Sequence, residues 1–90
     1  MKTRTLPLGE LYITRGAKAQ LHIPDALRAL NQHRSGDFGI VSEADREANM
    51  EAMENGERVL SAYLDKNGVK FWIITEWDRS ITTILLPEEY

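Results

Sequence analysis

The sequence predicts an α+β fold in one domain, residues 1–90: a three- to four-stranded antiparallel sheet, with a C-terminal β-meander, packed by two or three helices. Three observations predict it. From Arg58 to Tyr90 the chain holds three segments rich in β-branched and aromatic residues, interrupted at Asn67-Gly68 and near Asp78-Arg79. Before them come helix-capping residues at Thr14 and Ser42 and a proline at Pro24 suited to a first helical turn. Ninety residues with 42% hydrophobic content suffice for one modest core and not for two.

Taken in order, Leu8, Tyr12 and the alternating Leu11 and Ile13 predict a strand over about Leu6 to Ile13. Thr14 caps a short helix running through Gly16 to Leu21. Pro24 opens a second helix, which Ala26, Leu27, Ala29 and Leu30 carry to about His33. Gly36, Asp37, Phe38 and Gly39 form a turn. Ser42 with Asp45 resembles a capping box and opens a third helix to Asn55, with Gly56 beyond its end. Ala44, Ala48 and Ala52 recur every four residues, a thin apolar stripe for packing on the sheet.

Asn-Gly favours a two-residue type I′ turn, which sets Leu64 opposite Phe71, Tyr63 opposite Trp72 and Ala62 opposite Ile73. The second reversal sets Thr75 opposite Thr82 and Ile73 opposite Ile84, and Pro87 ends the last strand. Alternation then assigns Leu60, Ala62, Leu64, Phe71, Ile73, Ile84 and Leu86 to the core. The opposite face carries Ser61, Tyr63, Trp72, Ile74, Glu76, Ile81, Thr83 and Leu85, a mixture of polar and apolar groups. Such a surface suits binding, or a cover supplied by the N-terminal segment or by a second subunit. A homodimer with Tyr63 and Trp72 as anchors is one form of that cover.

Charge and composition narrow the classes. A net charge of −3 disfavours nonspecific duplex binding, which depends on cations displacing counterions from phosphates. Acid concentrates between Asp37 and Glu57, whereas the N-terminal third carries Lys2, Arg4, Arg15, Lys18, Arg28 and Arg34. With no cysteine there is neither a disulfide framework nor a thiolate metal site, and two histidines are too few for a usual zinc site. No metal or cofactor is implied, and no EF-hand, P-loop or dinucleotide fingerprint occurs. No apolar run is long enough to span a bilayer and no signal-peptide core is present, so a cytoplasmic protein without membrane contact is expected.

Two polar clusters carry chemistry. His33, Arg34 and Asp37 surround a glycine-bracketed turn, where the imidazole could act as acid or base oriented by Asp37, or simply offset a helix dipole. Glu76, Arg79 and Thr83, with Ser61 and Trp72 nearby, would line a groove suited to a nucleotide or peptide, or would make ordinary cross-strand pairs.

The segments Thr14-Arg15-Gly16-Ala17, His33-Arg34-Ser35-Gly36-Asp37-Phe38-Gly39 and Leu60-Ser61-Ala62-Tyr63, with the long motif from Trp72 to Tyr90, resemble a group of small bacterial proteins. That group is found on plasmids and other mobile elements and is loosely labelled plasmid-related or restriction-subunit. The likeness covers nearly the whole chain. It departs from the group at Phe38, usually Trp, and at Trp77, usually Ala. The resemblance implies a mobile-element setting. Two functions compete. One is a non-enzymatic binding or regulatory protein acting on a protein partner, such as a host restriction or CRISPR complex, through Ser61, Tyr63, Trp72, Glu76, Arg79, Thr83, His33, Arg34 and Asp37. The other is a small ribonuclease resembling the RelE and barnase fold, with His33 and Glu76 as acid and base and Arg79 and Thr83 holding RNA phosphate. The order of helices before sheet fits the second, and the acidic balance does not.

Overall fold

Helices form where a side chain is present to hold their first turn. Thr14 Oγ1 accepts from the Ala17 N–H at 3.3 Å and opens α1 (Arg15–Gln20), and Pro24 stands in the first turn of α2 (Ile23–Arg34). Ser42 Oγ accepts from the Asp45 N–H at 3.1 Å and opens α3 (Glu43–Asn55). The computed structural model describes residues 5–90. Its strands are β1 (Glu10–Ile13), β2 (Val59–Leu64), β3 (Lys70–Thr75) and β4 (Ile81–Leu85), followed by a 3-10 turn at Pro87–Glu89. The fold is α+β, and the sheet runs β1-β4-β3-β2.

The sheet is mixed, which corrects the antiparallel expectation. The meander is antiparallel, but β1 lies parallel to β4 with Leu11 beside Thr82 and Ile13 beside Ile84. Strand direction between distant segments depends on the path of the chain, and an alternating pattern is blind to it. β1 is also shorter than Leu6 to Ile13. Leu6 is buried instead among Phe38, Ala52 and Val59, and its N–H bonds the Arg34 carbonyl at 2.7 Å.

The first hairpin differs from expectation by one residue, and the shift reverses the faces of β2. Tyr63 pairs with Phe71, Ser61 with Ile73 and Val59 with Thr75. The loop has three residues. The Asp65 N–H donates to the Val69 carbonyl at 3.0 Å and its carbonyl accepts from the Gly68 N–H at 2.9 Å, its carboxylate Oδ1 accepts from Asn67 and Val69 N–H at 2.9 Å each, and Gly68 alone takes positive φ, at 80°. Asp65 Oδ2 accepts from the His22 N–H at 3.0 Å, and Asp25 at the start of α2 accepts from the Lys66 N–H at 2.8 Å. The helix therefore holds the turn in a geometry that Asn-Gly by itself would not choose. These bonds, His22 first, hold the Asp65 carboxyl below the ordinary range. The second reversal has the expected register, Thr75 beside Thr82 and Ile73 beside Ile84.

In consequence α1 and α2 cover Tyr63, Phe71, Ile73 and Ile84, joined by Leu86, with Ala17, Leu21, Ala26, Ala29 and Leu30 against them. Leu60 and Leu64, assigned by sequence to the core, lie on the other face, and Leu64 is exposed. α3 packs at the β2 end of the sheet through Asn49, Ala52 and Met53, while Ala44 and Ala48 face solvent. Of the alanine stripe, only Ala52 belongs to the packing face. Asn49 does what it cannot: its amide donates to the Leu60 carbonyl at 2.7 Å and accepts from the Leu60 N–H at 3.2 Å. Two residues on, the Ala62 N–H and carbonyl bond Phe38 and Ile40, with Gly39 so close that a Cβ would overlap the Ala62 carbonyl. The β2 edge is therefore closed at Leu60 and Ala62. Among the described residues no helix is long and apolar enough to cross a membrane.

Replacing Asn49 by Ala strands a buried donor and acceptor on Leu60, each costing about 1–3 kcal/mol when unpaired. The expected outcome is a lower urea midpoint at an unchanged m-value, whereas Ala48→Ser on the same helix leaves the midpoint in place.

Candidate functional site

The corrected register divides the residues singled out by sequence between two places. Ser61, Tyr63 and His33 enter the helix-covered interior. Trp72, Glu76 and Thr83 lie on the opposite face, and Arg34 and Asp37 are exposed at the end of α2 and in the turn after it. Lys2 and Arg4 lie outside the described residues.

His33 is wholly buried and both ring nitrogens are engaged. Nδ1 is 2.6 Å from Ser61 Oγ and Nε2 is 2.8 Å from Thr75 Oγ1. Thr75 Oγ1 is 2.7 Å from Thr82 Oγ1, which donates to the Leu8 carbonyl at 2.7 Å. The terminal acceptor fixes every proton in this chain. A carbonyl only accepts, so Thr82 donates to it and accepts from the Thr75 hydroxyl, and Thr75 accepts from His33 Nε2–H. Nδ1 is then the lone-pair nitrogen and accepts from Ser61. His33 is a neutral Nε2–H tautomer with no nitrogen left for a substrate. Burial, with a smaller contribution from the Arg79 charge, lowers its pKa to about 4. The acid–base role considered for His33 does not fit this geometry.

Tyr63 is also enclosed. Its hydroxyl donates to the Asp37 carbonyl at 2.7 Å, its ring packs on Phe71 with centroids 5.6 Å apart, and burial pushes its phenol well above the usual range. It cannot anchor a partner beside Trp72, because the two residues are on opposite faces. Asp37 does not orient His33; its carboxylate accepts from Gln32 at 2.9 Å and from the Gly39 N–H at 3.3 Å.

Arg79 turns away from any groove. In a left-handed conformation, φ 61°, it donates to the carbonyls of Glu57 at 2.5 Å, Ala52 at 2.9 Å and Glu76 at 3.2 Å. It thereby ties the second hairpin to the C-terminal end of α3, where the Ala52 carbonyl also accepts from the Gly56 and Glu57 N–H groups and the helix dipole favours a cation.

The opposite face carries a connected surface cluster. The Trp72 and Tyr90 rings meet edge to face at 5.6 Å, and the Arg58 guanidinium lies over Tyr90, 5.3 Å from its centroid. Arg58 donates to the Tyr90 hydroxyl at 2.5 Å and pairs with Glu76 at 3.4 Å. Tyr90 is brought there by the 3-10 turn, in which Glu89 accepts from the Leu86 N–H at 2.9 Å, the Thr14 hydroxyl at 2.5 Å and the Gly16 N–H at 2.9 Å. Arg58 and Tyr90 were not singled out by sequence. The true register does contain a signal for Arg58, since it falls one residue before Val59 and so opposite Glu76, a charge-matched cross-strand pair.

Comparison of the chain with family models, with curated proteins and with solved structures finds no match.

His33 makes stability depend on pH in a definite sense. The unfolded chain binds a proton near the ordinary histidine pKa of 6.5 and the folded chain only near 4. Folding therefore favours the neutral ring, and stability is full above pH 6.5 and falls as pH drops toward 4. Unfolding free energies between pH 7 and 4.5 should decline by about 2 kcal/mol from this group. His33→Gln should be less stable at pH 7 and lack that part of the slope.

Proposed function

We propose that the protein is a non-enzymatic binding module that engages a protein partner through the surface cluster around Trp72. The observation that carries this reading is the surface cluster of Trp72, Tyr90 and Arg58, locked by Glu76. Trp, Tyr and Arg dominate binding hot spots because each offers a large rigid contact area together with a polar handle. Here ring packing and hydrogen bonds hold them in place before any partner arrives, which lowers the entropy lost on binding.

The groups best suited to acid–base or phosphate chemistry have structural duties. His33 is enclosed in a directed hydrogen-bond chain, and the Arg79 guanidinium is spread over three carbonyls. This favours binding over the ribonuclease reading. Asp45, Glu47 and Glu51 are exposed on α3 and give one side an anionic surface. Such a surface complements the basic exterior of a complex that handles nucleic acid. Together with the mobile-element setting implied by the sequence resemblance, it makes a host defence complex, of restriction or CRISPR type, the partner to test first.

DNA cleavage by such a purified complex should be suppressed by the wild type. Trp72→Ala and Arg58→Ala should each weaken that suppression, with a hot-spot loss of about 2 kcal/mol corresponding to about 30-fold in affinity. RNA cleavage by the wild type, lost in Glu76→Ala with the fold intact, would replace this reading with the nuclease.

A further inference from the structure

The two sheet edges are treated differently. At β2 every backbone group noted above is paired, by the Asn49 amide and by residues 38–40. At β1 the sheet ends in a strand that carries no Lys, Pro or bulge to discourage pairing. The parallel ladder decides which β1 groups face outward. Glu10 N–H bonds the Ser80 carbonyl at 2.9 Å and Thr14 N–H bonds the Ile84 carbonyl at 3.0 Å, so Glu10, Tyr12 and Thr14 address β4. Leu11 and Ile13 turn their N–H and carbonyl groups to the open side.

Beside this edge, on the helix side of the sheet, runs an apolar groove of about 280 Å³ lined by Leu11, Ile13, Ile23, Leu27 and Leu30, with Lys18 at its rim. The exposure is large for apolar residues: Leu11 54%, Tyr12 51%, Ile13 37% and Leu27 54%.

We propose that β1 pairs antiparallel with β1 of a second copy of this chain, joining two four-stranded sheets across a two-fold axis at Tyr12. Three features select a second copy over an arbitrary strand. First, setting Leu11 against Ile13 of the other copy uses every outward backbone group of both residues, in two hydrogen-bonded pairs related by the axis. Second, that axis stands perpendicular to the sheet, so the helix layers of the two copies share one side. The groove of each copy then faces its equivalent, and Leu11, Ile13, Ile23 and Leu27 from both close into one apolar layer. Third, the strand begins with acidic Glu10 and is followed by basic Arg15 and Lys18. Antiparallel pairing about Tyr12 sets Glu10 of one copy opposite Thr14 of the other, one residue from Arg15, whereas parallel pairing would align like charges.

Sedimentation of the wild-type chain up to the hundred-micromolar range should give twice the chain mass. Leu27→Glu, on an exposed helix position, should return the chain mass with an unchanged circular dichroism spectrum. Glu10→Arg should weaken association severalfold, and adding Arg15→Glu should restore it. Tyr12 meets its own copy in a non-hydrogen-bonded pair, where Cα atoms lie about 4.5 Å apart, within disulfide range. The chain has no cysteine of its own, so Tyr12→Cys should oxidise to a covalent dimer much faster than Leu64→Cys. The chain mass at every concentration would overturn the proposal and leave the edge to a foreign extended segment. A dimer indifferent to Leu27→Glu, with Tyr12→Cys no faster than Leu64→Cys, would overturn it by placing the contact elsewhere. Trp72→Ala leaves the dimer intact, so loss of partner binding and loss of self-association are separate results.

Discussion

The buried hydrogen-bond chain from Ser61 through His33, Thr75 and Thr82 to the Leu8 carbonyl is the constraint to which the other elements answer. It joins β2, α2, β3, β4 and the N-terminal segment in a single directed line. Its polarity is set by an acceptor that cannot donate, so each member has one role and no alternative. In a chain of this size, with a modest core, such a line locates α2 over the sheet more specifically than apolar contact does, because leaving any link unmade would bury an unpaired polar group. The same enclosure that makes His33 a structural element removes it from chemistry with a ligand.

A second dependence runs through Asp65. Its carboxylate binds the hairpin's own N–H groups and the start of α2 at once, so turn and helix are fixed together. The three-residue loop that results carries Ser61 and Tyr63 to the helices and releases Leu60 and Leu64 to the far side. It also sets Arg58 against Glu76. The surface cluster around Trp72 therefore descends from one carboxylate at the other end of the hairpin, by way of a register in which each residue has only two faces to choose from.

The sheet edges show a division of labour between polar and apolar side chains. On β2, Asn49 substitutes for a neighbouring strand, which a hydrocarbon side chain such as those of Ala44 and Ala48 cannot do. On β1, Leu11 and Ile13 leave the ladder unfinished next to an apolar groove. The protein thus offers two distinct surfaces: an aromatic and arginine cluster on one face, and an open edge at the far end of the sheet.

Much of the architecture was legible locally. Thr14, Pro24 and Ser42 mark helix starts because capping and proline geometry involve only neighbouring residues, and Thr75 with Thr82 follows from the alternation of two adjacent strands. Local pattern was enough for the α+β class, the three helices, the meander and its end at Pro87. What required the tertiary structure was every feature fixed between distant segments. The parallel placement of β1, the one-residue shift imposed by α2 on Asp65, the burial of His33 and the meeting of Arg58, Trp72 and Tyr90 are of this kind. The physical reason is common to all four: periodicity reports which side chains share a face, but partners across the fold decide which face is covered and which polar groups remain for function.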